Sequence, residues 1–320
     1  MGNRWGALGV ALGLCLFGSL RLGAAGADTA ASHHPATGRF EFGLFGNQRR
    51  DQAERGRFPR LMAAVNAADV AFSVDDGGIG SAPADCADDY DLESRDLFDA
   101  FRAPLVYTPG QSDWRDCLAG DGPAARLGAL RRIFFAAGRS AGRQPLEVER
   151  QRPYFPENAR WTYGPVTFAT IHVIGESDGL GRGRDGDAEV AARHAAATAW
   201  LNGTFDEAQR LGSAGVVFVW QADPHFGEDV AAYNGLRGAL RARTIAFGKP
   251  VVVVHGDSGY FRIDKPMVDD GGRRVENFTR VETFTGSAPD WVRGMVDPDE
   301  PGLFTFRPEI VSAAGPADSR

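Results

Sequence analysis

One run of residues indicates more about the architecture of this chain than any other: Val251-Val252-Val253-Val254-His255-Gly256-Asp257-Ser258-Gly259. Four consecutive β-branched residues, preceded by a Lys-Pro pair and followed by a glycine-rich turn, predict a strand buried on both faces. Such a strand delivers the residues after it into the crevice where α/β sheets place their sites. His255, Asp257 and Ser258 are therefore candidate ligands or catalysts.

Strand and helix patterns alternate through most of the chain, and the last part reads as strands with no helices between them. This order predicts a layered α/β fold. The segment from Arg150 to Trp161 carries Pro153, Pro156 and Asn158, and we interpret it as irregular. No linker interrupts residues 39–310, which are predicted to form one domain, followed by a disordered tail at 311–320.

The amino-terminal residues have the pattern of an export signal. Arg4 supplies a positive charge, residues 5–20 are apolar and uncharged, and Ala25-Gly26-Ala27 offers small residues for cleavage. We interpret residues 1–27 as a signal peptide and 28–38 as a linker; an uncleaved membrane anchor is the alternative. The expected location is exported, either periplasmic or secreted, with no membrane association after cleavage.

The cysteines and the net charge give further information about the class of protein. After signal cleavage only Cys86 and Cys117 remain, and an even pair in an exported protein favours a disulfide over two separate buried thiols. The formal net charge is -7, and the only lysines are Lys249 and Lys265. This balance excludes the basic surface that a nucleic-acid-binding protein needs.

Polar residues cluster where the predicted strands end. They are Asn47, Asp75-Asp76, Ser112-Asp113, Gln221 and His255 with Asp257. Because the carboxyl ends of neighbouring strands meet at one edge of a sheet, this pattern is typical of a metal-dependent hydrolase. His255 with Asp257 and Ser258 also permits hydrolase triad elements, but no Gly-x-Ser-x-Gly elbow accompanies them, and we favour a hydrogen-bonded turn histidine. His194, on an alanine-rich helix, is expected to be solvated.

The strand-end motifs resemble those of the calcineurin-like metallophosphoesterases, in particular a bacterial exported branch. The resemblance covers about residues 39–308 and implies a four-layer α/β/β/α sandwich of two mixed sheets. It also implies a dinuclear centre of divalent cations that activates water for phosphoester hydrolysis. The matching stretches are Phe45-Gly46-Asn47-Gln48, Asp76-Gly77-Gly78-Ile79-Gly80-Ser81, Thr108-Pro109-Gly110-Gln111-Ser112-Asp113-Trp114, Pro156-Glu157-Asn158-Ala159-Arg160-Trp161, Gln221-Ala222-Asp223-Pro224, Gly256-Asp257-Ser258-Gly259 and Phe261-Arg262-Ile263-Asp264-Lys265-Pro266.

At most ligand positions that this resemblance implies, the chain carries a different residue. Asn47 stands at the first aspartate and Arg49 at the ligand two positions on, while Gly78 stands at the aspartate that bridges both ions. Ser112 stands at an amide ligand and Gln221 at a histidine, and Gly256-Asp257-Ser258-Gly259 lacks both histidines of the last motif. A glycine at the bridging position and a cation in the first loop both oppose metal binding.

The sequence therefore predicts an exported phosphoesterase homologue with an eroded metal site, acting as a pseudoenzyme or binding scaffold. The alternative is an active phosphoester hydrolase with a rearranged ligand set. The candidate metal positions are Asn47, Asp76, His255 and Asp257, with Asp113 as the candidate catalytic residue and Arg49 and Arg262 as candidate anion-binding residues. No cofactor is expected; an active enzyme would use Mn, Fe or Zn. The expected partner is a small anionic ligand or a protein.

Overall fold

The computed structural model describes residues 1–2, 38–48, 56–80, 86–117, 122–179, 181, 184–256, 259–284 and 288–311, without the side chains of residues 176, 177, 184 and 185. The predicted signal peptide from residue 3, most of the predicted linker, Arg49, Asp257 and the tail from residue 312 lie outside these ranges. The strands are β1 (Phe40–Phe45), β2 (Ser73–Asp75), β3 (Leu105–Tyr107), β4 (Glu149–Gln151), β5 (Phe155–Tyr163), β6 (Val166–Thr170), β7 (Gly215–Val219), β8 (Val251–His255), β9 (Arg262–Asp264), β10 (Phe278–Glu282), β11 (Trp291–Val296) and β12 (Phe304–Glu309). The helices are α1 (Phe58–Ala67), α2 (Asp88–Asp99), α3 (Gln111–Trp114), α4 (Gly122–Phe134), α5 (Arg184–Leu211) and α6 (Ala231–Phe247).

The valine run forms a central strand of the larger sheet. β8 pairs in parallel with β7 on one side and with β10 on the other. Val251 and Val253 pack toward the helices, whereas Val252 and Val254 pack toward the second sheet. The prediction of a strand buried on both faces is confirmed.

The strands form two mixed sheets. The smaller has the order β12-β11-β1-β2-β3, and the larger has the order β4-β5-β6-β7-β8-β10-β9. In the smaller sheet β1 pairs in parallel with β2 and antiparallel with β11. In the larger sheet the parallel strands β6, β7, β8 and β10 are flanked by antiparallel partners at both ends.

Three buried clusters separate four layers. Leu201 of α5 and Leu240 of α6 pack on the outer face of the larger sheet. Phe42, Phe72 and Phe168 fill the space between the sheets. Hydrophobic side chains of α1, α2 and α4 cover the outer face of the smaller sheet. The predicted four-layer α/β/β/α sandwich of two mixed sheets is confirmed.

The interpretation of residues 150–161 as irregular is wrong. These residues form parts of β4 and β5, and β5 continues to Tyr163. Pro153 lies in the turn between the two strands, and Pro156 lies outside the part of β5 that pairs with β6. The register between β4 and β5 shifts near Gln151. Prolines are tolerated at such positions because they interrupt no ladder hydrogen bond there.

The predicted disulfide between Cys86 and Cys117 is present. Cys86 lies just before α2, and Cys117 follows α3, so the bond ties together two loops on the helical side of the smaller sheet. With a sequence separation of 31 residues, it stabilises the fold by about 3–4 kcal/mol in the chain-entropy model. Within the described ranges, none of the helices is both long and apolar enough to cross a membrane.

Candidate functional site

Strand ends from both sheets meet at one edge of the sandwich. Asn47 and Asp76 follow β1 and β2 of the smaller sheet, and Gly256 and Thr283 follow β8 and β10 of the larger one. We call these four residues, together with Gly78, the sheet junction. The three side chains among them are buried, so the junction is a packed region of the protein rather than an open cleft.

Asn47 occupies the space that a side chain at the bridging position would need. Its backbone adopts φ 54°, and its Nδ2 donates a hydrogen bond of 3.0 Å to the carbonyl of Gly256. A Cβ atom built on Gly78 would lie 2.2 Å from Oδ1 of Asn47 and 3.1 Å from its Cα. Gly78 itself has φ +80°, which residues with side chains rarely adopt. A bridging carboxylate therefore does not fit at Gly78 in this arrangement.

The carboxylate of Asp76 fills the gap between two glycines. A Cβ at Gly46 would lie 1.6 Å from Oδ1 of Asp76, and one at Gly256 would lie 2.8 Å from either oxygen. The hydroxyl of Thr283 donates a hydrogen bond of 2.6 Å to Oδ2 of Asp76. The two glycines thus leave room for a carboxylate that bonds across the sheets.

Asp113, the candidate catalytic residue, accepts hydrogen bonds from backbone amides of its own loop and of the loop that follows β2. Its Oδ2 accepts hydrogen bonds from the amides of Gly78 and Gly110 and from the hydroxyl of Tyr107, and its Oδ1 accepts one from the amide of Gly80. Burial raises the pKa of Asp113 despite these four donors. The arrangement is that of a carboxylate that organises glycine-rich loops.

His255 faces away from the sheet junction. It is the last residue of β8, so it shares the outward face of Val253. The charges that act on it are those of Asp223, Arg280, Arg262 and Asp264. Both ring nitrogens are buried and have no hydrogen-bond partner among the residues that the structure describes. The expectation of a hydrogen-bonded turn histidine is wrong. Burial lowers the pKa of His255 to about 3, so the ring is neutral.

The remaining candidate positions have other partners or fall outside the described ranges. Arg262 pairs with Glu282 at 2.7 Å and with Asp223 at 3.3 Å, so its charge is already compensated. Oε1 of Gln221 accepts a hydrogen bond from the amide of Gly175. Arg49 and Asp257 lie outside the described residues, so the structure brings together only Asn47 and Asp76 of the four candidate metal positions.

The described residues of the junction do not fit the metal pair that the resemblance implies. The resemblance places a bridging carboxylate at Gly78, and the amide of Asn47 takes the space that the Cβ of such a residue would need. Across the described part of the chain, no three histidine, cysteine, aspartate or glutamate side chains converge as a metal site would require.

A second buried hydrogen-bond network connects α3 to the larger sheet, and the sequence analysis did not predict it. Nε1 of Trp114 donates to Nε2 of His172, so the proton of that imidazole is on Nδ1, which lies 3.0 Å from Oε1 of Glu157. Arg131 donates two hydrogen bonds to the same carboxylate, at 2.6 and 2.9 Å. The stretch Glu157-Asn158 between two apolar residues was the available signal.

His194 was expected to be solvated, and its side chain is 31% exposed but also has a buried partner. Its Nε2 contacts the buried carboxylate of Asp178, which also accepts a hydrogen bond from Arg193 and one of 2.9 Å from the amide of Ile174. These partners hold the pKa of Asp178 below its usual range in spite of burial. The group fixes the loop that follows β6.

Solved structures resemble this fold at very low sequence identity. A dimetal phosphatase from Danio rerio aligns with a TM-score of 0.50 and 10% identity over 85% of this chain and 99% of that one. The GAP50 anchor of the Plasmodium inner membrane complex aligns with a TM-score of 0.48 and 10% identity over 86% of this chain and 90% of that one. Purple acid phosphatase PPD1 from yellow lupin seeds aligns with a TM-score of 0.48 and 9% identity over 85% of this chain and 54% of that one.

The protein has the calcineurin-like phosphoesterase fold. No protein-family model matches the sequence, and no curated protein matches it. The similarity to the dimetal phosphatase is limited to the fold, and a shared fold does not imply a shared function.

Proposed function

We propose that this protein is an exported, non-catalytic relative of the calcineurin-like metallophosphoesterases that acts by binding. The observation that carries the proposal is the contact between Asn47 and Gly78, where a bridging carboxylate would clash. A two-metal hydrolase needs that carboxylate to hold both ions at once. The degenerate motifs of the bacterial exported branch, with Gly78 and Gln221 at ligand positions, point the same way.

Export is supported by the leader pattern of residues 1–27 and by the disulfide. Disulfides persist in oxidising compartments and are rare in the cytosol. The bond between Cys86 and Cys117 therefore fits a periplasmic or secreted protein.

The proposed binding partner is a small anionic ligand or a protein. Arg262 is a weak candidate for holding an anion, because Glu282 and Asp223 already neutralise it. An added anion would have to compete with two carboxylates that are held by the fold. This compensation disfavours Arg262 as the residue that would hold an anion.

The proposal predicts that the mature chain, residues 28–320, does not hydrolyse generic phosphoesters. We expect p-nitrophenyl phosphate and bis-p-nitrophenyl phosphate to be turned over at the uncatalysed rate with Mn²⁺, Zn²⁺ or Fe²⁺ present. The readout is release of p-nitrophenol. Turnover that is abolished in Asp76→Ala and retained in Asp69→Ala would establish the active hydrolase instead. Asp69 is a suitable control because it is exposed and pairs with Arg102 and not with a residue of the junction.

A further inference from the structure

Two hydrogen bonds cross from one sheet to the other at the sheet junction. Nδ2 of Asn47, after β1, donates to the carbonyl of Gly256, after β8. Oγ1 of Thr283, after β10, donates to Oδ2 of Asp76, after β2. Elsewhere between the sheets the described contacts are mainly apolar, so these bonds give the junction polar links of defined geometry.

The environment makes the link between Thr283 and Asp76 strong. Both side chains are buried, with 0% and 1% of their surface exposed. The hydrogen bond from the hydroxyl to this carboxyl oxygen is electrostatically stronger where water is excluded. The amide of Thr283 also donates to the carbonyl of His255, which fixes the hydroxyl relative to β8.

We propose that the pair Asp76–Thr283, together with Asn47–Gly256, is a metal-independent lock between the two sheets. The resemblance to metallophosphoesterases implies that cations link the loops at this edge of the sandwich. In this chain, side chains at two of the candidate metal positions make the cross-link themselves. These hydrogen bonds would link the two sheets whether or not the protein binds a ligand.

Isosteric substitution at Thr283 tests the lock. Thr283→Val keeps the shape of the side chain but removes the hydroxyl, and it should lower Tm by about 2–6 °C. Thr283→Ser keeps the hydroxyl and should lose less than half as much. The matched control is Thr279→Val on β10, the strand that Thr283 follows. Among the described residues the hydroxyl of Thr279 makes no hydrogen bond, so this variant should leave Tm within about 1 °C.

Hydrogen exchange locates the effect. In Thr283→Val, the amides of Asn47 and Gly256 should exchange faster than in the wild type and in Thr279→Val. The amides of β5 and β6, which lie at the opposite side of the larger sheet, should not change. A uniform increase over the whole chain would indicate general destabilisation and contradict a lock at the junction.

Adding metal ions is the second test of the lock. The Tm of the wild type should be the same with EDTA, Mn²⁺ or Zn²⁺, because a cation that bound the folded state would raise it. A rise of several degrees with either cation, or a Thr283→Val variant as stable as Thr279→Val, would overturn the lock. Phosphoester turnover without these changes would instead overturn only the non-catalytic function, so the two failures are distinguishable.

Discussion

Replacing Gly78 by aspartate, the residue that the family resemblance implies at this position, is expected to destabilise the protein and to create no metal site. The φ of +80° costs a residue with a side chain about 1–2 kcal/mol. The clash of the new Cβ with Oδ1 of Asn47, 2.2 Å away, costs about 1–3 kcal/mol more. We therefore expect a loss of about 2–5 kcal/mol in the free energy of unfolding, measured by urea denaturation.

A glycine with a similar φ separates the two costs. Gly272 has φ +75°, and a Cβ there would meet no atom within 4 Å, so Gly272→Asp pays only for the backbone conformation. The difference between the two variants measures the clash at the junction. Equal stability of Gly78→Asp and Gly272→Asp, or stoichiometric metal in Gly78→Asp, would show that the junction is open to a bridging ligand.

Glu157→Gln is expected to lower the free energy of unfolding by about 3 kcal/mol at pH 7. The carboxylate is fully buried and accepts hydrogen bonds from Arg131 and His172, and removing one charge of a buried pair typically costs about 3–5 kcal/mol. The glutamine keeps the shape and one acceptor oxygen, which places the loss near the lower end. Urea denaturation at fixed salt measures it.

The same substitution should change the acid stability. Burial alone would raise the pKa of Glu157, but the bonds from His172 and Arg131 outweigh it and lower the pKa from 4.5 to about 2. Because the folded pKa is depressed, this stabilisation is complete above about pH 5 and is lost as the pH falls from 4.5 toward 2. The difference between wild type and Glu157→Gln should shrink by about 3 kcal/mol over that window.

Glu207→Gln is the control for this prediction. Glu207 pairs with Arg210 one turn along α5 at the surface, where ion pairs contribute less than about 1 kcal/mol. Its removal should change stability little at either pH. A Glu157→Gln variant that behaves like Glu207→Gln would mean that the buried chain from Arg131 to Trp114 does not contribute to folding.

The sequence predicted the place of the junction for a local reason. Four consecutive valines predict a strand buried on both faces, and the residues after such a strand leave the core at its carboxyl end. The alternation of strands and helices predicted a layered α/β fold, whereas the order of the four layers followed from the family resemblance. Asn47 and Asp76 lie where that reasoning placed them.

The sequence did not predict which groups meet at the junction. Thr283 lies 207 residues from Asp76, and no local pattern relates the two. His255 was assigned to the crevice because it begins the motif, but the two-residue period of a strand places it with Val253 on the helix-covered face. That signal was available in the valine run and decides against the assignment.

The prediction for residues 150–161 was wrong for a different reason. Two prolines and an asparagine are typical of loops, and they outweighed the aromatic and apolar residues around them. Pairing with β6 over Ala159–Tyr163 fixes the strand in the folded protein. Propensity over a short window does not contain that tertiary partner.

The metal content of the mature protein tests the central claim most directly. Protein incubated with excess Mn²⁺, Zn²⁺ or Fe²⁺ and then freed of unbound ions should contain no metal above the buffer background in elemental analysis. One or two ions per chain, lost in Asp76→Ala and retained in Asp69→Ala, would contradict a junction closed by the protein's own side chains and would identify a rearranged metal site.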